Sequence, residues 1–197
     1  GKVSLNTKIE NPSGRSRRVI VHQTLWNKAH QMVSKASKIC QVEANGATIS
    51  QTLNVNKPQL WSLESPNLYT VTTEIEENGR ILDRDTISIG LRNIAFDVKK
   101  GFFLNGKNLK INGVCLHGDL GCLGTAINED ALYRQLLMMK DMGVNAIRCS
   151  HNPPAPELLN LCYSMGLLVM DEAFDSWMHG KTTYDYSIYF KTWAERD

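Results

Sequence analysis

The sequence predicts two domains of different class: a β-sandwich of immunoglobulin-like type over residues 1–96 and an α/β domain over residues 97–197. In the first part, short alternating runs are broken by turn residues at roughly 8–12 residue spacing, as in sandwich strands. In the second part, strand-like and helix-like runs follow each other in the order β-α-β-α-β-α, which is the repeating unit of a parallel α/β fold. A chain of 197 residues is long enough for two such domains.

The predicted sandwich is defined by its alternating strands and its turns. Residues of alternating polarity from Val3 to Ile9 predict the first strand. Asn45-Gly46 and Asn78-Gly79 predict hairpin turns, because Asn and Gly tolerate the positive φ that tight turns require. Runs from Leu68 to Ile75 and from Ile81 to Ile89 flank the second turn. The chain has no Cys-Trp-Cys framework, which excludes an antibody-type domain.

The predicted α/β domain begins where the hydrophobic period changes. Leu167–Met170 is continuously apolar, as expected of a parallel strand that is buried on both faces. Asn128 is a suitable helix N-cap, and Gly143 and Gly166 suit helix ends. The predicted strands are Leu109–Cys115, Val144–Arg148 and Leu167–Met170, and the predicted helices are Asn128–Met142, Pro156–Met165 and Tyr186–Arg196.

Composition and charge exclude several functional classes. The chain is 42% hydrophobic with a net charge of +2, divided as +4 over residues 1–96 and −2 over the remainder. This balance favours a globular domain and predicts no nucleic-acid or membrane partner. Five cysteines are an odd number in a chain too large to need disulfides, so reduced thiols are expected. No signal segment opens the sequence, and the compartment, cytoplasmic or periplasmic, stays open.

Polar side chains follow each of the three predicted α/β strands. Carboxyl ends of parallel strands lie at one edge of the sheet, so these side chains are expected to face one space. They are His117 and Asp119 after the first strand, Arg148, His151 and Asn152 at the second, and Asp171, Glu172 and Asp175 after the third.

These residues also allow other interpretations. A single His or Asp after a strand commonly serves as a helix cap or loop residue, but three clusters in register favour a site. Cysteine and histidine pairs at Cys115-x-His117 and Cys149-x-His151 could ligate zinc, yet their spacing matches no common zinc module. Gly180-Lys181-Thr182 is similar to the end of a phosphate loop, but it lacks the first glycine and follows the acidic strand.

Several segments resemble glycoside hydrolase family 2, which includes β-galactosidases, β-glucuronidases and β-mannosidases. The most specific strings are Arg-Cys-Ser-His-Asn-Pro from Arg148 and Asp-Glu-Ala from Asp171, because they occur in order at the expected strand ends. The other matching segments are Pro58–Trp61, Pro66–Tyr69, Gly90–Arg92, Gly101–Lys107, Ile111–His117, Leu136–Lys140, Gly143–His151 and Gly166–Ala173.

The resemblance implies that the α/β part holds the first three units of a TIM (β/α)₈ barrel and follows an immunoglobulin-like sandwich. It also implies a retaining glycosidase with two catalytic Glu residues, which the family places on later strands, beyond Asp197. The chain is therefore expected to be an inactive fragment of a β-galactosidase-like enzyme. The uncovered edges of a partial barrel are expected to promote self-association.

The resemblance further implies a partial substrate wall for an oligosaccharide or β-glycoside. His117 and His151 match positions that border the sugar, and Asp119, Asn152 and Glu172 complete the expected wall. Arg148 is expected to brace acidic residues, and Asp171 suits either role. Trp177 is expected either to stack on a sugar or to pack the loop.

Two further expectations concern metals and an alternative function. Several relatives supply Glu and His magnesium ligands after the Asp-Glu-Ala string. Here the Glu is absent and His179 falls one position later, so no metal or cofactor is expected. The sugar stays open among galactose, glucuronic acid and mannose. The alternative function is a non-catalytic carbohydrate-binding sandwich, although Trp26, Trp61 and Tyr69 are scattered.

Overall fold

The computed structural model describes all residues from 1 to 197 and separates into two compact units, Gly1–Asn93 and Ile94–Asp197. We call them the sandwich unit and the α/β unit. They divide three residues before the boundary that the sequence predicts at 96/97. The reason is that strand β7 (Ile94–Asp97) pairs antiparallel with β8 (Gly101–Leu104) and therefore belongs with the residues that follow it.

The sandwich unit consists of two antiparallel sheets. One sheet pairs β1 with β4, and the other has the strand order β3-β2-β5-β6. The immunoglobulin-like sandwich predicted from the sequence is confirmed. The strands are β1 Lys2–Ile9, β2 Arg17–Trp26, β3 Met32–Val42, β4 Ala47–Asn54, β5 Tyr69–Glu77 and β6 Arg80–Ile89.

The core of the sandwich unit forms because alternate residues of its strands point to the same face. One apolar cluster includes Leu25 and Val71, and a second includes Val21 and Ile49. A buried amide pair also lies in this unit: Gln51 Nε2 donates to Gln23 Oε1 at 3.0 Å. Gln23 Nε2 in turn donates to the Thr7 hydroxyl at 2.8 Å, so the buried amide of Gln23 is hydrogen-bonded.

The two Asn-Gly sequences have different roles. Asn78 and Gly79 both have positive φ, 51° and 80°, and join β5 to β6 in the predicted hairpin. The tight turn predicted at Asn45-Gly46 forms, with the Gly46 amide donating to the Glu43 carbonyl at 2.9 Å, but the strands that it joins, β3 and β4, lie in different sheets. β3 pairs with β2 and β4 pairs with β1, so this turn carries the chain from one sheet to the other. Gly46 has a φ of 93° there.

The α/β unit begins with a small antiparallel sheet, β7-β8-β9, and continues as a parallel sheet, β10-β11-β12. One helix follows β10 and another follows β11, so the unit has the β-α-β-α-β order of a parallel α/β fold. The remaining elements are β9 Lys107–Asn108, β10 Gly113–His117, α1 Glu129–Asp141, β11 Ala146–Ser150, α2 Pro156–Met165, β12 Leu168–Met170 and α3 Phe190–Trp193.

Helix ends in this unit follow the sequence signals. The Asn128 side chain caps α1 by accepting a hydrogen bond from the Ala131 amide at 2.9 Å. Gly166 ends α2 in the left-handed conformation, with a φ of 76°. The helices cover the sheet with a shared apolar core, whose buried members are Leu132, Leu136, Ile147, Cys149, Leu158, Leu161, Cys162 and Leu167.

Three predicted elements differ from the structure. The strand predicted over Leu109–Cys115 begins only at Gly113, after the chain has left the small sheet. The helix predicted over Tyr186–Arg196 is a 3₁₀ turn followed by the one-turn α3. Met170 is 62% exposed, because β12 is an edge strand that pairs only with β11. None of the helices has the length and apolar character needed to cross a membrane.

Candidate functional site

Two parallel strands bring the first two polar clusters to one edge of the sheet. His117 pairs in register with Ser150, so β10 and β11 end side by side. The residues that follow them, Asp119, His151 and Asn152, therefore start from neighbouring positions. This is the arrangement expected of a site at the carboxyl ends of parallel strands.

A cavity of about 500 Å³ lies at these strand ends. We call it the strand-end cavity. Four of the predicted site residues line it: His117, Asp119, His151 and Asn152. The rings of His117 and His151 meet edge to face, with centroids 5.5 Å apart. The structure thus brings these four residues of the predicted substrate wall to one cavity.

Glu172 lies beside His151 and joins it to Arg148. Its Oε2 atom is 2.9 Å from Nδ1 of His151, and its Oε1 atom forms an ion pair with Nε of Arg148. The hydrogen bond from His151 and the charge of Arg148 lower the pKa of Glu172 below its usual value. Both carboxylate oxygens are therefore occupied by protein partners.

Arg148 projects from β11 and contacts Cys115 on the neighbouring strand as well as Glu172. Its Nη1 atom lies 3.3 Å from the Cys115 sulfur, and this hydrogen bond lowers the pKa of the Cys115 thiol. Neither Arg148 nor Glu172 lines the strand-end cavity. Arg148 thus contacts an acidic residue, as expected of a brace.

Asp175, from the acidic cluster after the third predicted strand, also lines the cavity. Its Oδ1 atom is 4.0 Å from Nδ1 of His151 and forms an ion pair with Lys181. The hydrogen bond from Lys181 lowers the pKa of Asp175. The signal for Asp175 is its place after the third strand, whereas Lys181 drew attention only as part of the Gly180-Lys181-Thr182 string and not as a partner of Asp175.

Asp171 and Trp177 do not line the strand-end cavity. Asp171 is exposed, and burial together with the charges of Asp171 and Glu172 raises the pKa of Cys149 to about 11. The Trp177 ring stacks on Phe190, with centroids 6.2 Å apart, and stays 63% exposed. A sugar contact by either residue remains a prediction.

The cavity also contains two buried polar side chains, of which Ser150 belongs to the string after the second strand and Gln135 was not expected from the sequence. Ser150 is 8% exposed and lines the cavity. Oε1 of Gln135, which projects from α1, is buried and has no hydrogen-bond partner. Such a group is costly to bury and suits a cavity that binds a polar ligand. No signal in the sequence distinguished Gln135 from the other polar residues of its helix.

The side chains at this site can form hydrogen bonds with the hydroxyl groups of a ligand. Imidazole, amide and carboxylate groups can each bond a hydroxyl. Glu172 and Asp175 are each paired with a cation and have lowered pKa values, so neither is a protonated acid at neutral pH. No three His, Cys, Asp or Glu side chains are grouped so that they could hold a metal ion. The absence of a cofactor stays a prediction.

Comparisons with known proteins agree with this architecture. The family model "Glycosyl hydrolases family 2" matches residues 1–92, and "Glycosyl hydrolases family 2, TIM barrel domain" matches residues 96–185. The chain is 47% identical over 196 residues to beta-galactosidase BoGH2A of Bacteroides ovatus, and the aligned region covers 99% of this chain and 23% of that protein. It is 34% identical over 152 residues to a beta-glucuronidase of Bacteroides fragilis, and that aligned region covers 76% of this chain and 22% of the relative.

A solved structure of a longer chain contains the same fold. A glycosyl hydrolase family 2 member from Bacteroides cellulosilyticus superposes with a TM-score of 0.93 at 38% identity and covers 97% of this chain and 25% of that one. The chain thus spans about a quarter of the length of the relatives named above. Both family models, the curated relatives and the shared fold lead to one conclusion: this chain belongs to glycoside hydrolase family 2 and comprises its immunoglobulin-like sandwich and the start of its TIM barrel.

Proposed function

We propose that this chain forms one wall of the active site of a longer retaining β-glycosidase that cleaves terminal β-galactosides. The observation that carries the proposal is the convergence of His117, Asp119, His151 and Asn152 on the strand-end cavity. Fixed imidazole, amide and carboxylate groups at a barrel's strand ends suit the hydroxyls of a pyranose ring. The proposed substrate is a β-glycoside or oligosaccharide bound with one sugar against this wall.

The covalent chemistry is assigned to residues outside this chain. A retaining mechanism needs a protonated carboxylic acid and a second, ionised carboxylate about 5–5.5 Å away. Glu172 and Asp175 are unsuited to the acid role, because each is ion-paired and its pKa is lowered. The 197-residue chain alone is therefore proposed to be inactive.

The choice of galactose rests on similarity and on charge. The β-galactosidase of B. ovatus is 47% identical over nearly the whole chain, compared with 44% over 149 residues for a putative β-glucuronidase of Formosa agariphila and 34% for the B. fragilis β-glucuronidase, so similarity favours galactose only slightly. Two carboxylates, Asp119 and Asp175, line the cavity, and no Lys or Arg does. A uronic acid would place its own carboxylate near these groups, so a neutral sugar is favoured.

The alternative of a carbohydrate-binding sandwich has less support. Protein sites for sugars commonly present exposed aromatic faces, but Trp61 is fully buried and Tyr69 lies in the core of the sandwich unit. A saccharide titration of residues 1–93 tests this alternative directly, and binding in the millimolar range would support it.

A hydrolysis panel tests the proposal. Aryl β-galactoside, β-glucuronide, β-mannoside and β-glucoside are offered to the full-length protein, with the 197-residue chain as control. We expect the full-length protein to hydrolyse the galactoside and the 197-residue chain to show no hydrolysis. Turnover by the 197-residue chain would show that the catalytic carboxylates lie within it. Preference for another glycoside would overturn the choice of galactose.

A further inference from the structure

The two ring nitrogens of His151 have different surroundings. Nδ1 lies 2.9 Å from Oε2 of Glu172 and 4.0 Å from Oδ1 of Asp175. Nε2 has no hydrogen bond to the protein, and the ring itself lines the strand-end cavity. The protein thus holds one ring nitrogen through a hydrogen bond and makes none to the other.

The charges around His151 determine which nitrogen holds the proton. The pKa of Glu172 is lowered, so its carboxylate is ionised at neutral pH and can only accept hydrogen bonds. Nδ1 must therefore be the donor. In the singly protonated ring, Nε2 is then the acceptor. Glu172 and Asp175 also form ion pairs with Arg148 and Lys181. His117, the remaining titratable neighbour, meets the ring edge to face.

On the basis of the proposed function, we propose that Glu172 is a positioning residue: it holds the His151 proton on Nδ1, so that Nε2 accepts a hydrogen bond from one hydroxyl of the bound sugar. Arg148 supports this role, because its ion pair fixes the Glu172 carboxylate in place. Glu172 acts through His151 and does not itself contact the sugar, since it does not line the cavity. This differs from the direct contact expected from the sequence.

The isosteric substitution Glu172→Gln makes a distinctive test. Arg148 can only donate, so it selects the amide oxygen of the new Gln side chain. The amide nitrogen then faces Nδ1 of His151, which must become the acceptor. The ring proton moves to Nε2, and the atom that faces the sugar changes from an acceptor to a donor.

Substrate analogues report this change. For each of the 3-, 4- and 6-hydroxyls, the full-length enzyme is assayed with the aryl glycoside it cleaves best, with the deoxy analogue and with the deoxyfluoro analogue. Fluorine accepts weakly and cannot donate. At the hydroxyl that contacts His151, wild-type kcat/KM is expected to fall about tenfold for the deoxy analogue, with no rescue by fluorine. In Glu172→Gln, the ratio of fluoro to deoxy kcat/KM is expected to rise at least about threefold at that position only.

Controls separate this effect from other causes. The inductive effect of fluorine on the reaction is the same in both enzymes and cancels in the comparison. Asp141→Asn removes an exposed carboxylate at the end of α1 and is expected to keep the wild-type ratios. Melting temperatures of all three proteins show whether they are equally folded. If Glu172→Gln does not fold, neutron diffraction of the perdeuterated wild-type protein is used, with deuterium expected on Nδ1 of His151.

The outcomes distinguish this inference from the proposed function. Unchanged fluoro-to-deoxy ratios in Glu172→Gln, or deuterium on Nε2 alone in the wild-type protein, would overturn the positioning role while leaving a working glycosidase. A full-length protein that cleaves none of the four aryl glycosides would instead overturn the proposed function.

Discussion

Oε2 of Glu172 accepts a hydrogen bond from Nδ1 of His151 at 2.9 Å and so connects the third acidic cluster to the second strand end. The contact joins residues that are 21 positions apart in the sequence. Arg148 completes the group through its ion pair with the other carboxylate oxygen. His151, which borders the cavity, is thus held by Glu172, and Glu172 is in turn held by its ion pair with Arg148.

This arrangement predicts a pH dependence of stability. The pKa of Glu172 is lower in the folded chain than its usual value of 4.5, chiefly because His151 donates to it. The group therefore stabilises the fold above that pH, and the contribution is lost as the pH falls through the folded pKa. Melting temperatures of the 197-residue chain below pH 4.5 should fall less steeply in Glu172→Gln than in wild type. Asp141→Asn serves as the control, and parallel curves for wild type and Glu172→Gln would contradict the prediction.

Removing the His151 ring should impair catalysis by the full-length enzyme. We expect His151→Ala to lower kcat/KM by about 100-fold, because a hydrogen bond that strengthens in the transition state is lost. His179→Ala, which removes an exposed ring outside the cavity, should leave kcat/KM nearly unchanged. Steady-state kinetics on the preferred aryl glycoside provides the measurement. Equal kinetics of the two variants would remove His151 from the site.

Two glycines of the sandwich unit should respond differently to alanine. Both have positive φ, but a β-carbon at Gly79 would meet open space, whereas one at Gly46 would collide with the Ile9 carbonyl oxygen. Gly79→Ala should cost about 1 kcal/mol of unfolding free energy, and Gly46→Ala about 3 kcal/mol. Urea denaturation of residues 1–93 measures both values. Equal losses would show that the turn between the two sheets relaxes freely.

The cysteines should differ in reactivity. Cys115 is exposed and its pKa is lowered by Arg148, whereas burial raises the pKa of Cys149 to about 11 and of Cys162 to about 12. Iodoacetamide should therefore label Cys115 of the native 197-residue chain before the two buried thiols, because the thiolate is the reactive form. Peptide mass spectrometry over a time course measures the order. Arg148→Gln should slow the labelling of Cys115. Equal labelling rates of all three thiols would refute the prediction.

The 197-residue chain should self-associate. β10 and β12 are both edge strands of the parallel sheet, and large apolar side chains such as Met142, Met170 and Met178 are more than 60% exposed. Such edges and patches favour contacts between copies. Sedimentation velocity should show species larger than a monomer for the 197-residue chain, whereas residues 1–93 alone should sediment as a monomer. A monodisperse monomer of the 197-residue chain would count against this expectation.

Much of the fold was predictable because its signals are local. The Asn78-Gly79 hairpin, the Asn128 cap and the Gly166 helix end each depend on the conformational preferences of one or two residues. Asn45-Gly46 has the same local signal as Asn78-Gly79, yet it joins two different sheets. Strand partners are chosen by distant residues, so no local pattern could separate the two cases.

The candidate site divides in the same way. By itself, the sequence determined which residues follow each parallel strand, and therefore that His117, Asp119, His151 and Asn152 would share one edge of the sheet. Only the tertiary structure decided which acidic residue of the third cluster reaches the cavity, namely Asp175, and that Glu172 lies beside His151 and is bound by two partners. The physical reason is that local periodicity shows where each strand ends and which residues follow it, whereas the direction of a loop carboxylate depends on which cations and hydrogen-bond donors reach it in space.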